Sequence, residues 1–271
     1  FAAVQLGKHV ICEKPLEVTV ERVDAMIKEA DKAGVILAGI LPRRFNPATK
    51  LLRDAVTAGR FGHIAFADAY VKWWRTDAYY DSGAWRGTWE LDGGGALMNQ
   101  SIHTIDLLLH VMGDVKSVHA RTTRRSHHNI EVEDTAVAML EFESGALGVI
   151  QGSTACWSEQ GHAAEIQITG DGGSVFMADD KFRVWQFRDA LPEDAQIRAD
   201  HGLTSATAGA GAADPKAIDF SWHQRNFEDV IAAIREGRQP SVTGQEARRA
   251  VALIRAIYES AEKGGVGVEV G

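Results

Sequence analysis

The sequence predicts an α/β and α+β chain of two unequal parts. Residues 1–45 read as the C-terminal portion of a doubly wound parallel sheet, and residues 46–271 as a unit built on a large, mostly antiparallel open sheet. Three observations carry this. The runs 9–12 and 35–40 are continuous apolar strands flanking one helix, the pattern of parallel strands covered on both faces. Seven later runs of strand character are joined by glycine-bearing turns such as Ser144-Gly145. Helical periodicity returns only at about 95–112, 222–236 and 244–262, enough to cover one face of so many strands.

Taken in order, residues 1–6 form the tail of a helix. Strand 9–12 is β-branched and ends at Pro15, and a proline pushes the residue before it toward extended geometry. Lys14 therefore stands at the strand's carboxyl end with its ammonium aimed off the sheet, where open α/β sheets bind ligands. Helix 20–33 carries Val20, Val23, Ile27 and Ala30 on one face and closes at Gly34. Two strands and one helix cannot bury a doubly wound sheet, so the sequence is expected to begin partway through a larger domain. A helix follows Asn46-Pro47 to about residue 58. Strands are expected at 64–74, 117–124, 135–142, 146–155, 165–169, 174–177 and 182–187, with Gly170-Asp171-Gly172-Gly173 as a turn. Residues 200–216 are small, patternless and expected to be a mobile loop. Helix 222–236 places Phe227, Val230, Ile231 and Ile234 on one face, and helix 244–262 opens on a Thr243/Glu246 capping box.

With 271 residues, 45 % of them hydrophobic, the chain can bury its own core. A net charge of −8 and no basic run longer than Arg124-Arg125 argue against nucleic acid or membrane as a partner. That leaves small polar molecules. Cys12 and Cys156 make no disulfide framework, which points to a reducing, cytoplasmic setting. His127, His128, Glu131 and Glu133 are metal-ligand types, but they form no closed tetrahedral set, so no metal site is expected. Trp73, Trp74, Trp157 and Trp185 read as sheet-face or interface aromatics.

Chemistry concentrates in "GGGALMNQSIHTIDLLLHVMGD", residues 93–114. Asn99, His103 and Asp106 fall at i, i+4 and i+7, one stripe of a helix otherwise apolar. Aligned polar residues there are costly unless paired or used, so the alternatives are a functional stripe or a satisfied core histidine with a solvated Asp106. The three glycines before the helix allow a ligand or another backbone to come close. Arg43 and Arg44 follow the second parallel strand. One is expected to reach the cleft and the other the surface, and Arg43 is assigned to the cleft.

"GKHVICEKPL", "PRRFNP", "WRGTWELDGGGALMNQSIHTIDLLLHVMGD" and "EGRQPSVTGQEARRAVALIRAIYESA", in that order, resemble the Gfo/Idh/MocA family of NAD(P)-dependent oxidoreductases. The resemblance implies a Rossmann domain followed by a domain whose open sheet is commonly an oligomer interface, hence a homo-dimer or homo-tetramer. In the family a glycine fingerprint lies several β-α units before the Glu-Lys-Pro motif. The two candidate substitutes, at 170–173 and at Gly209-Ala210-Gly211-Ala212-Ala213-Asp214, lack the strand-to-helix setting of such a fingerprint. By the resemblance Glu13, Lys14 and Pro15 meet NAD or NADP. Trp85 and Arg86 would stack on or clamp the nicotinamide or the substrate, with ordinary packing as the alternative. Arg43, Asn99 and His103 meet the substrate. The family often has aspartate where this chain has Asn99. The base is therefore expected to be His103, whose ordinary pKa of about 6.5 suits the task, with Lys14 stabilising the alkoxide and Asn99 bonding a hydroxyl. The implied reaction moves hydride between the nicotinamide and a ring hydroxyl carbon of a sugar, sugar derivative or cyclic polyol. An NAD-dependent glycoside hydrolase and a non-catalytic dinucleotide-binding regulator are the alternatives, and the presence of both Lys14 and His103 counts against the regulator.

Overall fold

The structure, a computed structural model, describes residues 2–203 and 220–271. Helix α1 (Ala2–Gln5) leads into strand β1 (Val10–Cys12), which pairs in parallel with β2 (Leu37–Gly39). Between them runs α2 (Val20–Ala33). Thr19 accepts the Arg22 N–H at its start, and Gly34 ends it at φ 66°, a conformation in which glycine carries no Cβ penalty. After β2 a 3₁₀ turn (Pro42–Phe45) hands over to α3 (Pro47–Thr57), capped by Asn46 and opened by proline at its first position.

The main sheet has eight strands in the order β10-β4-β5-β6-β3-β7-β8-β9. They are β3 (Ile64–Lys72), β4 (Val115–Thr123), β5 (Thr135–Phe142), β6 (Leu147–Ser153), β7 (Glu165–Gly170), β8 (Gly173–Ala178), β9 (Lys181–Phe187) and β10 (Val268–Glu269). Every neighbouring pair is antiparallel except β3 with β6. One face is covered by α5 (Ile102–Met112) and α8 (Gly244–Glu262). The sheet meets them with small side chains such as Ala67, Ala69, Ala136 and Ala138, so the helices lie close. A Cβ on Gly152 would press into Leu97 and Ser101 of the π-helical turn (Ala96–Ser101) that precedes α5. On the opposite face Phe66, Val137, Met139 and Leu147 stand about half exposed.

Several expectations need correction. The predicted helix at 95–112 is a π turn followed by an α-helix. Trp185 is buried on the covered face, where its Nε1 donates to Asp194 at 2.7 Å. A bulge is the reason: β9 carries an extra residue opposite Phe176 and Met177, so Phe182 and Trp185, three apart, both point inward and simple alternation fails. Two helices went unread, α4 (Asp77–Asp81) and α6 (Asp194–His201). The second takes in residues 200 and 201 of the expected loop, whose portion from 204 to 216, with the Gly209–Asp214 cluster, lies outside the described residues. Helix α7 (Ser221–Glu236) then packs on the 3₁₀ turn. Among the described residues no helix is long and apolar enough to cross a membrane, and no three His, Cys, Asp or Glu side chains converge to hold a metal.

Candidate active site

The carboxyl ends of β1 and β2 face the start of α5, and that helix start is held from beneath. Glu133, buried in the β4–β5 connection, accepts the Gly95 and Leu97 N–H groups and the Tyr258 hydroxyl, each at 2.9 Å, while its carbonyl takes Ala96 N–H at 3.0 Å. Burial pushes its carboxyl up to about 7, against the pull of those hydrogen bonds. The three glycines serve protein rather than ligand. A Cβ on Gly93 would strike Val18, on Gly94 the Tyr258 hydroxyl, and on Gly95 the Glu133 carbonyl. Pulled down in this way, the chain enters its helix through a wide π turn, a form frequent at functional sites.

The turn presents the Asn99 carbonyl to Lys14, whose Nζ donates to it at 2.6 Å. Burial holds the Lys14 ammonium below its ordinary pKa, with Asp92 and Glu13 opposing and Arg86 and Arg75 adding to the depression. The Asn99 side chain is tied to the protein on both sides: Nδ2 donates to Asp92 at 2.6 Å, and Oδ1 accepts from Gln100 at 2.6 Å and Tyr79 at 3.3 Å. Of the amide's two N–H groups one is thereby used, which leaves the other for the substrate hydroxyl expected of Asn99. Tyr79 is the hub of this wall, its hydroxyl accepting from Gln100 at 2.7 Å and Arg86 at 2.6 Å. Arg86 also stacks on the rings of Tyr79 and Trp85, and its Nε is buried without a partner among the described residues. Trp85 itself is 42 % exposed. Glu13 is exposed at the strand end, and the peptide between Lys14 and Pro15 is cis.

One turn on, His103 has no such support. Its Nδ1 is buried without a partner among the described residues, and its pKa lies well below the ordinary 6.5 through burial and the charges of Lys14, Arg43 and His223. Asp106 is neither solvated nor paired with His103. It is buried under Arg44, which grips both its oxygens at 2.9 and 2.5 Å and reaches Glu246 at 2.7 Å. The expectation that Arg44 would face the surface is therefore wrong, because Asp106 draws it inward. Arg43 instead pairs with Asp179 at 3.6 Å, and its charge is among those that act on His103. Sequence reasoning missed His223, Asp92, Tyr79, Gln100 and Arg75. For His223 a signal existed: Asn226, three residues on and so on the same helical face, clips the end of β2 by accepting Leu41 N–H at 2.9 Å.

Comparison with known proteins bears on this geometry. Residues 1–39 match the model of an oxidoreductase family with an NAD-binding Rossmann fold, and residues 49–176 match the Gfo/Idh/MocA C-terminal domain. The chain is 29 % identical to the myo-inositol 2-dehydrogenase of Thermotoga maritima and 32 % identical to the D-glucoside 3-dehydrogenase of Escherichia coli, in each case over 97 % of this chain and 73 % of the relative. Among solved structures, the WlbA dehydrogenase of Bordetella pertussis in complex with NADH and UDP-GlcNAcA aligns with a TM-score of 0.86 at 34 % identity, covering 100 % of this chain and 74 % of that one.

Proposed function

The chain belongs to the Gfo/Idh/MocA family of NAD(P)-dependent sugar and inositol dehydrogenases, and from that premise we propose that it oxidises a ring hydroxyl carbon of a sugar, sugar derivative or cyclic polyol, with Lys14 and His103 touching the reacting hydroxyl. The observation that carries the reading is the pairing itself: a lysine pinned by one hydrogen bond acts on a neighbouring histidine that has no carboxylate among the charges perturbing it. The nicotinamide end of NAD or NADP fits the carboxyl ends of β1 and β2, where Glu13, Lys14 and Pro15 lie and where Arg86 keeps a buried Nε with no partner among the described residues. When bound, the dinucleotide would supply the hydride acceptor.

The chain's own residues do the rest. Lys14 has two further N–H groups to give the substrate oxygen, which stabilises negative charge developing there. The imidazole of His103, kept neutral by its surroundings, takes the hydroxyl proton. Asn99 acts through Lys14, as a positioning residue. Arg43 lies on the substrate side. We place the boundary between the dinucleotide-binding part and the substrate and oligomerisation part at residues 45/46. The half-exposed apolar strip on the open sheet face supports a homo-oligomer, and the free Cys12 and Cys156 support a cytoplasmic setting.

The test is NAD(P)H formation with a panel of sugars and inositols by the enzyme and its Lys14→Met and His103→Ala variants. Each variant is expected to lose at least about a hundredfold in kcat, the low end for a positioned acid–base group, with little change in dinucleotide affinity. Unchanged turnover in either variant removes that residue from the reaction.

A further inference from the structure

His127, a metal-ligand type in the sequence, is used otherwise by the fold. It lies in the β4–β5 connection with its ring buried, and both ring nitrogens face acceptors: Nδ1 is 3.2 Å from an Asp134 carboxylate oxygen and Nε2 is 2.7 Å from the Arg75 carbonyl. A peptide carbonyl can only accept. Asp134 is equally bound to accept. Burial opposes its ionisation, but the N–H groups of Ser126, His127 and Arg125 and the Thr135 hydroxyl, at 2.8–3.0 Å, outweigh burial and hold its carboxyl below the ordinary range. A neutral imidazole has one donor and one acceptor and would set a lone pair against one of these oxygens. Only a ring with a proton on each nitrogen satisfies both. The rings of Tyr80 and Trp74 wedge it in place at centroid distances of 4.8 and 5.6 Å.

The Arg75 backbone is thereby clamped at both polar groups, since its N–H donates to the Thr154 carbonyl at 3.0 Å. Its guanidinium reaches into the wall of the site, where Nε and Nη2 both donate to Gln100 Oε1, at 3.1 and 2.8 Å. A guanidinium only donates, so the Gln100 amide must turn its oxygen toward Arg75 and its Nε2 toward Asn99 Oδ1 at 2.6 Å and the Tyr79 hydroxyl at 2.7 Å. Asn99 must then give its oxygen to Gln100 and its Nδ2 to Asp92. Each donor and acceptor from Arg75 to Asn99 is fixed by the one before it, and Asn99 is the residue whose carbonyl holds Lys14.

We propose that His127 is a positioning residue for the reaction: donating to Asp134 on one side and to the Arg75 carbonyl on the other, it anchors the Arg75–Gln100 relay that orients Asn99. The relay keeps one Asn99 N–H directed away from the protein's own acceptors, toward a substrate hydroxyl, and steadies the carbonyl that pins Lys14. His127 touches neither substrate nor dinucleotide and acts through Arg75. Only the use made of Asn99 and Lys14 rests on the dehydrogenase reading; the relay itself does not.

The experiment uses two substitutions that each keep one half of the clamp. An asparagine places its nitrogen near the position of the histidine Nδ1 and a glutamine near that of Nε2, so His127→Asn keeps the Asp134 contact and drops Arg75, while His127→Gln does the reverse. In the oxidation of glucose, galactose and myo-inositol, His127→Asn should lose about tenfold or more in kcat, the worth of one charge-assisted hydrogen bond, with KM for the dinucleotide unchanged. His127→Gln should keep most of its kcat although it gives up the ion pair. Equal kcat in the two variants, or losses that follow their thermal unfolding temperatures, would make His127 merely structural and overturn the proposal. Two magnetic-resonance readouts need no turnover. In protein labelled with nitrogen-15 histidine, in neutral buffer, the His127 ring, identified by its absence from His127→Gln, should carry a proton on both nitrogens; a neutral ring would overturn the clamp. The side-chain amide protons of Asn99 and Gln100 should exchange slowly in the unaltered protein and in His127→Gln, and rapidly in His127→Asn. That pattern without oxidation of any probe would support the relay and count against the dehydrogenase reading, whereas equal exchange in the two variants would overturn the relay and leave that reading in place.

Discussion

His103 can act as a base only while its ring is neutral, and its surroundings ensure that over an unusually wide range. Burial comes first, then three basic neighbours, and together they hold its pKa well below 6.5. The acid limb of kcat/KM should therefore lie below the ordinary histidine range. Removing the Lys14 charge favours the protonated ring, so in Lys14→Met the residual activity should show an acid limb at higher pH than in the unaltered enzyme. A limb in the same place would mean that a group other than His103 titrates. Asn99→Asp behaves differently from what spacing alone suggests. A carboxylate one turn before His103 would be expected simply to raise the histidine pKa. In the structure the Asn99 amide meets Asp92 at 2.6 Å, so the new aspartate confronts an existing one and the two share a proton. The variant should lose turnover and regain part of it in Asn99→Asp/Asp92→Asn, which restores one amide and one carboxylate with the places exchanged. Lys14 and His103 were legible because motifs place them. His223 and Asp92 were not, because contact between distant elements brings them to the site.

At the scale of elements, the π turn and α5 are held by two buried carboxyl groups with different partners. Glu133 is surrounded only by donors. Glu133→Gln turns an N–H toward one of them, and about 1–3 kcal/mol of stability should be lost, read by denaturant unfolding. Because the π turn presents the Asn99 carbonyl, kcat of the folded variant should fall as well, with dinucleotide affinity little changed. Asp106 depends on Arg44. Arg44→Met strands a buried carboxylate, and a loss of about 3–5 kcal/mol is expected, whereas replacing both partners by apolar residues should recover much of it. Recovery would be absent if the pair did more than satisfy one another. Sequence patterns delivered α8 at its observed bounds, since capping box and periodicity agree there. They missed α6, whose one large apolar residue is Ile197, and the β9 bulge, which inserts one residue and so reverses the inward and outward sense of the rest of the strand.

For the whole molecule, the two parallel strands and the one-sided sheet were both readable, the first from continuous apolar runs and the second from too few helices for two faces. Which residues occupy the open face was only partly readable: Trp185 lies inside, and Phe66, Val137, Met139 and Leu147 make up the strip. Cross-strand pairing sets Phe66 beside Leu147, and Met139 one strand over beside Val149. If copies of the chain associate through this strip, Met139→Glu should shift sedimentation from oligomer to monomer at micromolar concentration without unfolding the protein. A monomer before substitution would refute the interface. Oxidation of a ring hydroxyl with Lys14 and His103 at the reacting carbon is tested most directly by stoichiometry. NAD(P)H formed is measured against sugar consumed by the intact enzyme. Equimolar formation of reduced dinucleotide and ketosugar is expected, nearly abolished in Lys14→Met; consumption of a glycoside with release of its aglycone and no net reduced dinucleotide would contradict it.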